Sequence, residues 1–207
     1  MSYLTLSVYF GWMAVIVGFF GFGAQYRRAN RRGVEGVSLA TWTLFVLMGF
    51  FWIVYGIVAR SWEISLGSVI VLPLQLSVVF RLKPWQELTV VARCVGFFVA
   101  CCVLPTLAWG WSGGVYGTGV AMAINRWPQL IELVRHEDAS GVSVWSWVLG
   151  VVGTGLWIAY YVGTRLWAAL AATACALLAN LVIALLANWR HGQARAALIR
   201  AEVFVAH

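Results

Sequence analysis

The sequence predicts an all-α membrane protein with seven transmembrane helices, built as two three-helix repeats joined by one extra helix. Three observations predict this fold. Hydrophobic residues make up 62% of the 207 residues and charged residues only 10%, which is far from the composition of a soluble domain. The apolar stretches are long and continuous, which favours helices over the alternating strands of a barrel. The second half of the chain also repeats much of the first.

Apolar runs of about 20 residues mark seven candidate spans. They cover residues 6–26, 39–59, 64–82, 89–109, 114–134, 143–163 and 166–189. The third span is the shortest, and Glu63 and Pro73 weaken it. The first run lacks a preceding basic segment and a small-residue cleavage pattern, so we expect a helix there rather than a removable signal peptide.

The basic residues orient the predicted spans. Arg60 and Arg165 fall at one face, whereas the other face carries Arg27, Arg28, Arg31, Arg32, Arg81, Lys83, Arg93, Arg135, Arg190, Arg195 and Arg200. Basic residues favour the cytoplasmic side, so we expect an external N-terminus and a cytoplasmic C-terminus in a plasma (inner) membrane. The net charge of +7 then reflects topology and lipid headgroups, and no nucleic-acid partner is needed to explain it.

A shift of 105 residues superimposes the second and third spans on the sixth and seventh. Of the 41 residues in 36–76, 13 are identical to those 105 positions later. The identities include Gly36-Val37-Ser38 with Gly141-Val142-Ser143, Trp42 with Trp147, Trp52 with Trp157, Tyr55 with Tyr160 and Arg60 with Arg165. Chance matching of apolar helices would not align rare Trp, Tyr and Arg residues, so the pattern indicates a duplication.

Two three-helix repeats have the same orientation only if one further helix separates them, and the span 89–109 supplies it. The predicted plan is therefore a 3+1+3 arrangement of parallel repeats, which encloses a cavity at the repeat interface. The chain divides into a first repeat (1–83), a linker helix (84–111), a second repeat (112–190) and a cytoplasmic tail (191–207). The tail is expected to lie along the membrane surface.

A short motif begins within the last part of the fifth span. The run Arg126-Trp127-Pro128-Gln129-Leu130, with Ser140-Gly141-Val142-Ser143 after a short loop, resembles a PQ-loop motif. Gly23-Ala24-Gln25-Tyr26 resembles a degenerate copy. Together with the Trp-x-x-Tyr steps at 52–55 and 157–160, these residues resemble the SWEET and SemiSWEET (MtN3/PQ-loop) transporters over nearly the whole chain. The resemblance implies an alternating-access sugar transporter, although PQ-loop proteins also include amino-acid carriers and members that do not transport.

Pro128 and two glutamines are the candidate gate and hinge residues. Pro128 lacks an N–H and clashes with the carbonyl one turn earlier, so it loosens the fifth helix. That turn could act as a hinge for an inner gate, or it could be a static kink. Gln129 and Gln25 could bond backbone groups freed by the kink, or contact solute. Ser38 and Ser143 are predicted N-caps of the next helices.

Two aromatic pairs are the first candidates for solute binding. Trp52 and Trp157 lie in mid-span, away from the headgroup level that Trp usually occupies. Tyr55 and Tyr160 follow three residues later on the same faces. The resemblance places these residues around the solute pocket, where an aromatic face suits a sugar ring or a cation. The alternative is that both Trp side chains only fill space between helices.

Polar residues on the third and seventh spans are the second set of candidates. The resemblance implies asparagines sixteen residues after each Trp, but this chain has Ser68 and Thr173 there. Gln75 and Asn180 lie seven residues further along the same faces. Buried amides in a membrane need partners, so each polar stripe either joins helices or contacts solute.

Arg126 is the one basic residue deep within a predicted span. An ionisable group in a membrane is a candidate functional residue, and Arg126 could contact an anionic group of the solute. The alternatives are that its side chain extends to the cytoplasmic surface or pairs with Glu132.

These observations predict a facilitative transporter of a small hydrophilic solute, with a sugar as the first candidate. The alternatives are a carrier of a charged metabolite or amino acid that uses Arg126, and a non-transporting receptor or assembly factor. No nucleophile triad or metal-ligand spacing is seen in the spans, so neither an enzyme nor a cofactor is predicted. Lipids and the solute are the expected partners, and association of two copies stays open because one chain holds both repeats.

Overall fold

The computed structural model describes residues 3–136 and 138–205, and within these ranges the chain is helical without any strand. Eight α-helices follow one another along it. They are α1 (Tyr3–Arg32), α2 (Leu39–Val58), α3 (Trp62–Arg81), α4 (Leu88–Phe98), α5 (Leu104–Ile124), α6 (Trp127–Arg135), α7 (Val144–Thr164) and α8 (Trp167–Val205). A 3-10 turn (Pro84–Gln86) precedes α4, and a π-helical turn (Val99–Val103) joins α4 to α5.

Six helical stretches in this described part are long and apolar enough to cross a membrane. They are Leu6–Arg32, Leu39–Val58, Trp62–Arg81, Leu88–Arg135, Val144–Thr164 and Ala169–Arg200. A backbone in lipid must satisfy its hydrogen bonds internally, and these helices do so. The all-helical architecture is therefore consistent with an integral, multi-pass membrane protein.

The longest of these stretches, 48 residues, folds back on itself. A straight helix of that length would measure about 72 Å, more than twice the hydrocarbon core of a bilayer. The backbone leaves the helical conformation at Trp109 (φ −130°) and Gly110 (φ 67°). Across this reversal the Thr118 hydroxyl donates to Cys102 Sγ at 3.4 Å. A Cβ at Gly113 would collide with the backbone of the preceding segment, so the two segments pack closely in opposite directions.

We call α1–α3 the first half of the chain and α5–α8 the second half. The last helix of each half packs on the other helices of that half. α3 packs on α1 and α2, and α8 packs on α5 and α7. Between the halves, α1 packs along α7 and α2 contacts α6, while α4 packs on α2. We call the end where α1 and α6 finish the basic end, because Arg27, Arg28, Arg31, Arg32 and Arg135 lie there.

The same local geometry recurs 105 residues apart. The predicted N-caps are confirmed: Ser38 Oγ accepts from the Thr41 N–H at 3.3 Å and Ser143 Oγ from the N–H of the residue three positions on at 3.2 Å. At the other ends of α2 and α7, Arg60 and Arg165 both adopt left-handed backbone conformations, with φ of 54° and 58°.

Two helices extend beyond their predicted spans. α1 continues to Arg32 rather than ending at residue 26, so its last turns carry the basic cluster. α8 continues as one helix to Val205, where a separate tail over 191–207 was predicted. The Ala-, Leu- and Arg-rich sequence there favours helix and contains no proline. Residues 206–207 lie outside the described part of the chain.

Candidate functional site

A cavity of about 210 Å³ lies among the helices of both halves. Seven of the residues singled out from the sequence line it: Trp52, Trp157, Ser68, Thr173, Gln75, Asn180 and Arg126. The lining also includes Asn125, Thr154 and Tyr161, which the sequence alone did not single out. Residues 105 positions apart thus face one common space.

Tyr55 and Tyr160 are not among the residues that line this cavity. The Tyr55 ring stacks on Phe51 at a centroid distance of 6.2 Å. The Tyr160 hydroxyl donates to Glu63 Oε1 at 2.9 Å and lies 3.1 Å from Ser61 Oγ. Because Glu63 lies in α3 and Tyr160 in α7, this hydrogen bond joins the two halves at the end opposite the basic end.

The serine and threonine hydroxyl groups beside the cavity donate their hydrogen atoms to the backbone of their own helices. Ser68, Thr154 and Thr173 each donate to the carbonyl four residues earlier, at 2.9, 2.7 and 2.6 Å. A hydroxyl has one hydrogen and two acceptor sites. The Ser68 and Thr154 oxygens can therefore accept hydrogen bonds from a solute, whereas Thr173 is 0% exposed. Donation to a solute must come from other side chains.

Arg126 is 7% exposed and is held by neutral oxygens. Its Nε donates to Asn180 Oδ1 at 2.6 Å. Its Nη1 donates to Asn125 Oδ1 at 2.8 Å and to the Met122 carbonyl at 3.0 Å. Its Cζ lies 5.3 Å from the centroid of the Phe45 ring. The guanidinium is thus fixed beside the cavity.

Arg126 makes no ion pair with an acidic residue in the described part of the chain. Glu132 was considered as a partner from the sequence, but its Oε1 lies 3.3 Å from His136 Nε2. The Arg126 side chain does not extend to the surface either, since it is buried and its Nε donates to Asn180. Its three acceptors are neutral, so they orient the guanidinium without neutralising its positive charge. No described carboxylate compensates that charge.

A smaller cavity of about 70 Å³ adjoins the first on the side of the basic end. Arg126, Asn180 and Phe45 line both cavities, and Trp42 and Trp147 line only the smaller one. Arg126 and Asn180 therefore stand at the boundary between the central cavity and an aromatic layer closer to the basic end.

Gln129 holds the turn that precedes α2. Its Nε2 donates to the Gly36 carbonyl at 2.6 Å, and its Oε1 accepts from the Ser38 N–H at 2.9 Å. Gln129 is fully buried and does not line the central cavity. It therefore satisfies the backbone of the other half of the chain.

Gln25 makes the matching pair of contacts to the turn that precedes α7. Its Nε2 donates to the Gly141 carbonyl at 2.8 Å, and its Oε1 accepts from the Ser143 N–H at 2.7 Å. Gly141 and Ser143 are the residues 105 positions after those bound by Gln129. The two glutamines thus form crossed, reciprocal bridges between the halves.

The two turns also touch each other directly. The Gly141 N–H donates to the Glu35 carbonyl at 3.0 Å. A Cβ at Gly36 would lie 2.7 Å from the Asp138 carbonyl oxygen, and one at Gly141 would lie 2.6 Å from the Glu35 nitrogen. Arg28 adds a bond from Nε to the Ser140 carbonyl at 2.6 Å. Glycine is needed at both positions for this close approach.

The helix that carries Gln129 is interrupted just before the predicted hinge. α5 ends at Ile124 and α6 begins at Trp127, with Asn125 and Arg126 between them. Pro128 lies in the first turn of α6, where its missing N–H is not required. Proline excludes a regular hydrogen bond to residue 124, which explains the position of the break.

Neither a metal-ligand cluster among the described residues nor a known relative assigns the chemistry of the cavity. Within residues 3–136 and 138–205, no cluster of three His, Cys, Asp or Glu residues could hold a metal ion. Comparison of the chain with protein-family models, with curated proteins and with solved structures found no match. The cavity and its flanking contacts are therefore interpreted from their own geometry.

Proposed function

We propose that this chain is a facilitative transporter that moves a small hydrophilic solute through the central cavity by alternating access. The observation that carries the proposal is the position of the cavity between two sets of contacts that join the halves. The crossed glutamines lie on one side of it, and the Tyr160–Glu63 hydrogen bond lies on the other. Opening either set alone would expose the cavity to one side of the membrane.

We further propose that the helices form a seven-span, 3+1+3 arrangement. The reversal at Trp109 and Gly110 would divide the 48-residue stretch into a linker span and the first span of the second repeat. The matching positions of α3 and α8, and the paired left-handed residues Arg60 and Arg165, support two equivalent halves. Such halves can rock about an axis along the membrane normal.

This arrangement supports membership of the SWEET/PQ-loop family, with the basic end on the cytoplasmic side. The Gln129 and Gln25 contacts give the PQ-loop-like segments a role as the inner gate. The break at Asn125–Arg126 supplies a place where α5 and α6 could change their relative angle. The basic cluster at the same end agrees with the preference of Lys and Arg for the cytoplasmic side.

A sugar is the first candidate for the solute. The cavity of about 210 Å³ is smaller than the roughly 300–1,000 Å³ of drug-sized sites, which suits a small molecule. Trp52 and Trp157 provide apolar faces, and Ser68 and Thr154 provide free acceptor sites for solute hydroxyls.

Uptake into proteoliposomes tests the proposal. Purified protein should accelerate entry of a radiolabelled solute from a panel of mono- and disaccharides, hydroxy acids and amino acids. Trp157→Ala should reduce the flux at least tenfold, because it removes a cavity wall. Trp145→Ala is the matched control: it lies on the same helix, is 70% exposed and should leave the flux unchanged. If no solute crosses faster than through empty liposomes, the proposal fails.

A binding assay on the same preparation separates the transporter from a receptor. A receptor or assembly factor would bind its ligand, giving a thermal shift, without any flux in liposomes. Saturable binding with equal flux in wild-type and protein-free liposomes would favour that second class.

A further inference from the structure

The Arg126 guanidinium has one nitrogen without a hydrogen-bond partner among the described residues. Its Nε and Nη1 donate to three neutral oxygens, those of Asn180, Asn125 and Met122. Its Nη2 forms no hydrogen bond to a residue that the structure describes. Because Arg126 lines the cavity, this remaining donor is available to a solute. A buried guanidinium that lacks a carboxylate favours an acidic group beside it.

A second polar group in the cavity is also without a partner. Gln75 is 4% exposed, and its Oε1 is buried with no hydrogen-bond partner among the described residues. Gln75 is the counterpart of Asn180 in the 105-residue repeat. Asn180 accepts from Arg126, whereas the first-half residue that corresponds to Arg126 is Phe22, counting from Gln25 as from Gln129. The first half thus offers an acceptor without a donor.

The charges around the cavity limit what a solute can carry. Arg126 is the one acidic or basic residue in its described lining. One cation compensates one negative charge, so a phosphate dianion would remain half unpaired. The ammonium group of an amino acid would find no carboxylate there. A hydroxyl group, in contrast, needs only a neutral acceptor, such as the Ser68 and Thr154 oxygens or Gln75 Oε1 once its amide turns toward the cavity.

We propose that the solute is a small hydroxy carboxylate, a sugar acid or hydroxy acid, whose carboxylate binds Arg126 and whose hydroxyl group donates to Gln75 after the buried Gln75 amide turns toward the cavity. This assignment rests on the proposed function, since it names the solute class of the same cavity. Trp52 and Trp157 then contact the carbon chain. The two halves of the cavity would divide the recognition, with the charge bound by the second half and a hydroxyl by the first.

Binding to detergent-purified protein at neutral pH tests the assignment. The probes are lactate, glycerate and gluconate, with glucose, propionate, alanine, chloride and phosphate for comparison, measured by calorimetry and thermal shift. At least one hydroxy acid should bind, and at least tenfold more tightly than every comparison compound. Equal binding of glucose and gluconate, or tighter binding of alanine, chloride or phosphate than of any hydroxy acid, would overturn the assignment.

Three variants of the second half separate recognition from a structural role of Arg126. Arg126→Met should lower hydroxy-acid affinity at least tenfold, and Arg126→Lys should lower it less because the charge remains. Arg135→Met, on the exposed part of α6, is the control and should bind as wild type. An unchanged hydroxy-acid affinity in Arg126→Met would contradict the assignment.

Asn180→Asp gives a test that does not depend on truncating Arg126. The new carboxylate would lie where Oδ1 now accepts from Arg126 Nε at 2.6 Å, and would neutralise the guanidinium internally. We expect a higher unfolding temperature together with at least a tenfold loss of hydroxy-acid affinity. A merely structural Arg126 would leave that affinity unchanged, and this result would overturn the assignment.

The two proposals fail in different ways. Hydroxy-acid binding that depends on Arg126, without flux in proteoliposomes, would leave the carboxylate site standing and reject transport. Flux of a neutral sugar that is unaffected by Arg126→Met would support transport and reject the carboxylate site.

Discussion

Gln25 and Gln129 each complete the backbone hydrogen bonding of the turn that belongs to the other half of the chain. The four bonds measure 2.6–2.9 Å, and both side chains are buried. An unpaired buried amide or carbonyl costs free energy comparable to a lost hydrogen bond. The halves therefore separate at the basic end only if water or a new partner replaces all four bonds together.

Replacing either glutamine with leucine should loosen the basic end. Each change leaves one buried N–H and one buried carbonyl unpaired, which should cost about 2–4 kcal/mol. The readout is maleimide labelling of Val142→Cys, in a variant whose four native cysteines are replaced. Val142 is 1% exposed, so labelling should be slow with both glutamines present and faster in Gln25→Leu or Gln129→Leu.

Gln86→Leu is the control for both changes, because Gln86 is exposed in the connection between α3 and α4. It should not alter the labelling rate. Labelling of Val142→Cys that stays equally slow in all three leucine variants would show that the crossed bonds do not hold this end closed.

Adding one carbon to the facing glycines should separate the turns. A Cβ at Gly36 or Gly141 would approach the opposing backbone to 2.7 or 2.6 Å, and Gly36 also has a φ of 75°. We expect Gly36→Ala and Gly141→Ala each to lower the unfolding temperature in detergent, by a cost of about 1–3 kcal/mol. Gly23→Ala, with no atom within 4 Å of the new Cβ, should be neutral or slightly stabilising.

Removing the Tyr160 hydroxyl should weaken the contact at the opposite end. Tyr160→Phe deletes the 2.9 Å bond to Glu63, and we expect a loss of about 1–2 kcal/mol. The unfolding midpoint in detergent should fall by about 2–4 °C per kcal/mol. Tyr55→Phe is the matched control, since the Tyr55 hydroxyl bonds no described residue. An equal effect of both changes would contradict a specific role for the Tyr160 bond.

Gln75→Leu should affect selectivity without harming stability. The change removes a buried acceptor that has no described partner, so the unfolding temperature should stay the same or rise. If Gln75 accepts a solute hydroxyl, wild type should prefer lactate to propionate by about tenfold, and the variant should bind both alike. Preserved preference in Gln75→Leu would assign the hydroxyl contact to another residue.

Short-range sequence patterns predicted much of the helical fold. The N-caps at Ser38 and Ser143 follow from short-range chemistry, since a serine before an apolar run satisfies a free N–H of the first turn. The span ends were less certain. α8 passes residue 189 without a break, because its continuation is rich in helix-forming residues and Gly192 alone does not end it.

Four lining residues of the cavity were singled out from the sequence: Trp52 and Trp157 by their mid-span positions in the repeat, and Ser68 and Thr173 by the resemblance to the SWEET transporters. Tyr160 was assigned to the same face as Trp157, but one helical position separates it from Tyr161, which lines the cavity. The exchange of contacts by the glutamines could not be foreseen. Their partners lie 91 to 118 positions away, and no local pattern encodes a hydrogen bond at that separation.

The crossed bridges also constrain how the two copies can diverge after a duplication. The Gly-Val-Ser segment at residues 36–38 is identical in 141–143, and each copy is hydrogen-bonded by the glutamine of the other half. Neither turn can drift alone. The walls of the central cavity do not depend on these contacts, and there Ser68 and Gln75 correspond to Thr173 and Asn180. In the proposed transporter, one chain that carries both repeats can therefore differ between its two cavity walls while the reciprocal glutamine contacts keep its two turns alike.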